Sequence, residues 1–227
     1  MSNLYDVEIG GQMLLIETGR LAQQASGSIT VALGETVVLV TVCVTPEPRP
    51  DIDFFPLTVE FEERLYAVGK IPGSFPRREG RPGTDAILAG RMTDRALRPL
   101  FPHGFRNDVQ IIVTVLSADQ ENDPDVLATI GASAALTISE IPFDGPVPAM
   151  RVGYVDGEYV LYPTYTQLKD SELDLVVSST REKVIMVEAG ARGVSNEVFV
   201  GAVKLAHEAN QKIIAIQDEM AKTLAKP

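Results

Sequence analysis

Residues 5–9 alternate apolar and charged side chains, with Tyr5, Val7 and Ile9 set against Asp6 and Glu8. A period of two is the signature of a half-buried strand. The apolar pattern resumes at 13–17 after Gly10 and Gly11, so the two segments predict a hairpin across a glycine turn. Residues 28–33 and 35–44 predict a second pair, broken by Gly34. The later segment is almost continuously apolar and reads as a central strand covered on both faces. Pro46, Pro48 and Pro50 break the pattern into a loop, and 55–61 reads as a further strand with Leu57, Val59 and Phe61 on one side.

The period then changes. Thr84 or Asp85 is suited to cap a helix running to about Leu97, ended by Pro99. Residues 109–116 are a β-branched strand. Pro124 opens a helix at the position where its missing N–H costs nothing, and small residues over 126–138 suit close packing on a sheet. Residues 148–155 and 158–161 predict a hairpin across Asp156-Gly157, and 173–177 and 184–187 predict two more strands. Ser195 caps a last helix to about Ala225, with Val198, Val203, Leu205, Ile213, Ile216 and Met220 on its buried side. No linker divides the chain and no repeat is visible. The order predicts an α+β protein, an α/β sandwich with helices on one face of a sheet.

Composition narrows the function classes. The chain has 227 residues, 45% of them hydrophobic and 22% charged, which places it among ordinary globular proteins. No apolar run is long enough to span a bilayer and no secretory signal opens the chain, so no membrane partner is expected and a cytoplasmic setting is. Cys43 is alone, which excludes an intrachain disulfide; its place in the 35–44 strand reads as core. With one Cys and only His103 and His207, a thiolate or histidine zinc site is not expected. The clusters Glu60, Glu62, Glu63 and Asp119, Glu121, Asp123, Asp125 carry oxygen ligands, but solvated loop charge is the commoner outcome and no metal site is expected.

Charge is distributed unevenly. The chain carries −11, yet between Arg77 and Arg106 there are seven Arg, three acids and no Lys. A basic island on an acidic protein is a localised anion site, and arginine grips phosphate through a planar fork. Phe75, Arg77, Arg78 and Arg81 fall in a Gly/Pro-rich loop from Ala67 to Gly83. Arg91, Arg95 and Arg98 follow at i, i+4 and i+7, on one helix face. A phosphate track and pairing to acids elsewhere in the chain both fit that spacing, and Asp94 can neutralise one of the three.

Residues 69–82, GKIPGSFPRREGRP, and 89–102, AGRMTDRALRPLFP, closely resemble the bacterial polynucleotide phosphorylase family, as do 53–59 and 130–136. The likeness covers nearly all of 1–227 and is to the first of that family's two RNase PH-like domains, stopping where its helical linker domain would begin. The resemblance implies a β-α-β-α fold of the ribosomal protein S5 domain 2 type. It implies a homotrimeric ring and single-stranded RNA entering a central channel 3′ end first. Inorganic phosphate would release nucleoside diphosphates with Mg2+ or Mn2+ in the full-length enzyme, in mRNA degradation or a larger RNA-degradation complex. Phe75, Arg77, Arg78 and Arg81 would hold RNA, and Arg91, Arg95 and Arg98 are candidates for phosphate or RNA backbone. The family often has two adjacent Phe before the Arg pair, whereas this chain has Phe75 then Pro76, which loses one stacking surface worth roughly 1–3 kcal/mol per base.

The active domain of the family is expected to carry a Ser pair at a helix start and spaced Asp residues with a Lys. The matching positions here are Asn122, Asp123, Pro124 and Asp125, then Thr166, Glu172 and Val176, with Asp174 remaining. The expectation is an RNA-binding, ring-forming domain that is not catalytic by itself and binds no metal cofactor. The alternatives are a stand-alone RNase PH-like phosphorolytic enzyme and a non-catalytic structural subunit of an exosome-like ring. Nucleotide regulation at the arginine helix is left open by the sequence.

Overall fold

The alternating segments pair much as their pattern predicts. In the computed structural model, which describes residues 2–73 and 75–226, strands β1 (Asn3–Ile9), β2 (Gln12–Thr18), β3 (Gly27–Leu33) and β4 (Thr36–Val44) form an antiparallel meander. Strand β5 (Leu57–Glu63) is joined through helix α1 (Thr84–Leu97) to β6 (Val109–Ser117). A parallel pair needs a crossover, and α1 supplies it. The sheet order is β1-β2-β3-β4-β6-β5, with β5 parallel to β6 at a free edge.

A second sheet was not distinguished in the sequence pattern. After α2 (Pro124–Ile138), strands β7 (Ala149–Val155), β8 (Glu158–Leu161), β9 (Leu173–Ser179) and β10 (Val184–Ala191) form it in the order β10-β9-β7-β8. A short helix α3 (Tyr165–Asp170), closed by a Thr164–Gln167 capping box, falls between β8 and β9. Helix α4 (Asn196–Leu224) follows, with the Ser195 side chain accepting from the Val198 N–H as anticipated. Helices thus lie against one face of each sheet. Among the described residues no helix is long and apolar enough to cross a membrane.

Helix α2 is apolar all round because it is covered all round. Twelve of its fifteen residues are buried, against β3 and β4, against α1 and α4, and against β7. Such contact demands small side chains. A Cβ at Gly131 would stand 2.6 Å from Val40 Cγ2, and one at Gly27 on β3 would stand 2.2 Å from the Ala135 carbonyl oxygen. Polar groups bolt the layers. The buried Ser133 hydroxyl donates to Gln217 Oε1 (2.6 Å) and accepts from the Val147 N–H (2.8 Å), while Gln217 Nε2 donates to the Ile130 carbonyl (3.1 Å). Thr93 and Thr129 hydroxyls join α1 to α2 at 3.1 Å, and Asn210 Nδ2 ties α4 to the Val177 carbonyl of β9 at 3.1 Å.

Three sequence expectations are corrected. Strand β4 is central but has one fully covered face: Val38, Val40 and Val42 are buried under α2, whereas Leu39 and Thr41 are half-buried. Cys43 falls on that outer face at the strand end, opposite the exposed Gln110, and is exposed rather than core. The buried seam of α4 is built from Ala202, Ala206, Ala209, Ile213, Ile214 and Met220, with Val198, Val203, Leu205 and Ile216 only half-buried. Close approach selects alanine there over larger residues.

Gly131→Val is expected to destabilise the fold by about 1–3 kcal/mol through overpacking against Val31 and Val40. Urea unfolding of the two proteins checks this. An unchanged midpoint would mean that α2 and the sheet can separate freely.

Candidate functional site

The arginine loop is a strap anchored at both ends. It starts from a 3-10 turn at Leu65–Val68, ended by Gly69 in the left-handed region. The Ala67 carbonyl accepts from the Ala118 N–H at 3.1 Å, and the Glu79 carboxylate accepts from the Leu65 N–H at 3.0 Å. Between and just beyond these anchors the strap stands in solvent. Phe75 is fully exposed, and Arg77, Arg78 and Arg81 are exposed and join no ion pair among the described residues. Arg77 sits at φ 49°, a left-handed conformation that costs about 1 kcal/mol or more for a side chain of this kind. Ser74 of the same motif lies outside the described residues.

The three helix arginines part company. Arg91 is exposed and free of ion pairs among the described residues. Arg95 reaches across to β10, donating to Glu188 Oε2 at 2.7 Å and to the Val187 carbonyl at 3.4 Å. Both partners are half exposed, so the pair is weak and exchangeable. Arg98 is built into the fold. It grips both oxygens of Asp94 at 3.1 and 2.7 Å and donates to the Phe55 and Leu57 carbonyls, each at 3.1 Å. Its guanidinium also lies 5.7 Å from the Phe55 ring centre. Arg98 thereby caps the Leu57 carbonyl at the free edge of β5, and the Phe55 carbonyl just before it, which would otherwise invite another strand. Asp94 was legible as a partner from its i, i+4 spacing; Phe55 and Glu188 were not, because tertiary folding alone brings them near.

The acidic start of α2 closes around a residue that sequence reasoning passed over. Asp123 is the N-cap, its carboxylate accepting from the Asp125 N–H at 3.1 Å. Arg151 on β7, nearly buried, pairs with Asp123, with Asp125 at 2.9 Å and, through Nε, with Asp174 at 3.3 Å. These residues line a cavity of about 560 Å3 together with Glu63, Asp85 and Glu188. Burial works against the Arg151 charge, but Asp125, Asp123 and Asp174 hold its pKa above the usual range. Burial raises Asp125 to about 7; the Arg151 charge pulls the other way, and Asp123 adds to the rise. Asp174 is also raised, first by burial and then by Asp123 and Glu188 against Arg151.

This cluster does not fit a divalent cation. A fixed positive charge sits among the carboxylates, and among the described residues no group of three or more His, Cys, Asp or Glu is placed to hold a metal. The acidic knot before it is likewise structural. Asp119 accepts from the Glu121 and Asn122 N–H groups at 2.8 Å each and from Asn122 Nδ2 at 2.6 Å. Burial opposes its charge, but these bonds outweigh it and bring the carboxyl down to about 2.

A second cavity, of about 700 Å3, lies beneath the strap and shares Phe61, Glu63, Pro124 and Tyr165 with the acidic one. Arg64 and Arg81 face it from the strap side, Arg64 already paired with Glu62.

Residues 11–142 match the 3′ exoribonuclease family, domain 1, and residues 145–209 match the 3′ exoribonuclease family, domain 2. The two matches meet where the chain leaves α2 for the small sheet. The chain is 52% identical over 225 residues to a polyribonucleotide nucleotidyltransferase of Dehalococcoides mccartyi, covering 99% of this chain and 31% of that protein. It is 57% identical over 223 residues to the protein of that name from Thermus thermophilus, covering 98% and 31%. For that of Deinococcus deserti the figures are 58% over 216 residues, 95% and 30%. The chain therefore spans about a third of the length of these curated relatives. Among solved structures, a chain of the Archaeoglobus fulgidus exosome with RNA bound to the active site superposes with a TM-score of 0.66 at 18% identity, covering 94% of this chain and 86% of that one. The fold is shared.

Asp125 makes stability depend on pH in a direction opposite to an ordinary paired carboxylate. Its folded form keeps a proton to about pH 7, whereas the unfolded chain gives it up near 3.8. The folded state binds more protons across that window, so stability falls as pH rises from about 4 to 7. Asp125→Asn should flatten this part of the profile, read as melting temperature against pH. A variant that still loses stability as steeply would show that Asp125 is ionised throughout.

Proposed function

Because the chain belongs to the 3′ exoribonuclease family, we propose that it is the RNA-binding, ring-forming first RNase PH-like domain of a phosphate-dependent 3′-to-5′ exoribonuclease, a polyribonucleotide nucleotidyltransferase. The exposed strap carries this reading. Phe75, Arg77, Arg78 and Arg81 offer one stacking surface and three cations without intrachain partners among the described residues, on a chain that is otherwise acidic. That combination tracks a single strand by its phosphates and stacks a base, with little demand on sequence. Arg91, on the helix that follows the strap, extends the same basic surface, and Arg95 can join it by exchanging Glu188 for a phosphate. Arg98 contributes by holding the β5 edge and α1 in place.

The phosphorolytic step is assigned to the remainder of the longer polypeptide. A helix N-terminus ordinarily favours an anion. At α2 the chain's own Asp123 and Asp125 stand in that position, with Asp85, Asp174 and Glu188 nearby, and Arg151 is already committed to three of the five. Phosphate would meet net negative charge there. In this reading inorganic phosphate, nucleoside diphosphates and the Mg2+ or Mn2+ that would assist the reaction act outside this domain. The same reading includes assembly as a homotrimer and action in the cytoplasm.

Arg77→Ala/Arg78→Ala tests the strap. RNA affinity of the 227-residue chain should drop at least tenfold at low salt. The slope of log affinity against log salt should lessen by about 1.4, the value for two contacts to a single strand. Fluorescence anisotropy with a labelled oligoribonucleotide over a salt series reads both. An unchanged slope would remove the strap from the interface.

A further inference from the structure

We propose that the cavity beneath the strap receives one unstacked nucleobase of the bound single strand, a subsite distinct from the outward-facing Phe75; this rests on the RNA-binding reading above. The space is about 700 Å3, within the range of pockets that enclose small ligands. Phe61, Val115, Ala118 and Pro82 give it apolar walls, and Tyr165 stands on the side shared with the acidic cavity. A flat apolar body suits such walls, and every nucleobase presents one.

Three polar groups on the lining are uncommitted. Glu62 is bonded to Arg64 and Thr114, and Glu79 to the Leu65 N–H. The Glu63 carboxyl, the Gln120 amide and the Arg81 guanidinium enter no side-chain hydrogen bond or ion pair among the described residues. Together they accept from a base edge, bond to either kind of edge group, and hold a phosphate. A carboxylate selects bases that offer an exocyclic amino group, since it can only accept. Burial, then Asp85 and Asp123, raise the Glu63 pKa, so an amino donor there also relieves a desolvated carboxylate. Arg81 lies both on this lining and on the strap, so a strand gripped by Arg77 and Arg78 passes its next phosphate over the cavity mouth. The neighbouring acidic cavity offers no free cation beside its carboxylates, because its Arg151 is paired with Asp123, Asp125 and Asp174.

The test is fluorescence anisotropy of the 227-residue chain with labelled eight-nucleotide oligoadenylate, oligocytidylate and oligouridylate, and with an abasic ribose–phosphate chain of equal length. Ala118→Trp fills the cavity. Oligoadenylate should then bind about tenfold more weakly, the order of one lost stack, while the abasic chain is unaffected. Glu63→Gln should erase the preference for adenylate and cytidylate over uridylate. Equal loss for adenylate and the abasic chain, or no loss for either, overturns the proposal. If Ala118→Trp does not melt cooperatively, the Glu63→Gln series decides, and an unchanged order among the bases overturns it. Weakening by Arg77→Ala/Arg78→Ala together with full tolerance of Ala118→Trp sinks the base subsite alone and leaves the strap standing. Failure of the wild-type chain to bind any of the four sinks both.

Discussion

Helix α2 is held by contact on every side, and the rest of the structure follows from that constraint. The large sheet, α1, α4 and β7 all meet it, so its side chains must be small where backbones approach. Gly131 against Val40 and Gly27 against the Ala135 carbonyl leave no space for a methyl group. The buried Ser133–Gln217 bond and the Thr93–Thr129 bond then fix the rotation of the helix about its axis, since each needs its partner at one height. A helix fixed in this way presents its N-terminus at one place, between the two sheets and beside the strap.

That terminus is where the chemistry of the domain is decided. Aligned N–H groups would favour an anion, but the sequence sets Asp123 and Asp125 there and answers them with Arg151 from β7. The network joins α2, β7 and β9 and keeps an anion site closed from within. Among the described residues, Arg77, Arg78 and Arg81 on the strap and Arg91, a short distance along the chain, stand exposed without ion pairs. Arg98 shows the converse: its donors go to the Leu57 carbonyl of β5, the Phe55 carbonyl just before it and Asp94, which keeps a sheet edge from pairing further. One surface is thus basic and open, and the neighbouring cleft is acidic and occupied by its own ion pairs.

Much of this was legible in the residues themselves. Period-two alternation located the first hairpin and β3, and Ser195, Pro124 and Asp156-Gly157 marked helix starts and a turn because their local chemistry is self-contained. Basic residues concentrated on an acidic chain pointed to the strap. The division into two sheets was not legible, because strand pairing is a long-range choice that the β7 to β10 segments do not announce. Cys43 was misplaced because an apolar run cannot say which of its faces a helix will cover. Arg151 was missed because its partners lie 23 to 28 residues away in sequence, beyond any helical or hairpin spacing. Two acids capping one helix without a nearby cation were the available hint that a buried arginine must come from elsewhere.

The proposed function has this domain bind RNA and leaves phosphorolysis to another part of the longer polypeptide. The most direct measurement incubates the 227-residue chain with short single-stranded RNA, inorganic phosphate and magnesium, and follows nucleoside diphosphate release beside RNA binding. Salt-sensitive binding and no release are expected. Phosphate-dependent release by the chain alone would contradict the proposed function and would place a working anion site at the Asp123–Arg151 cluster.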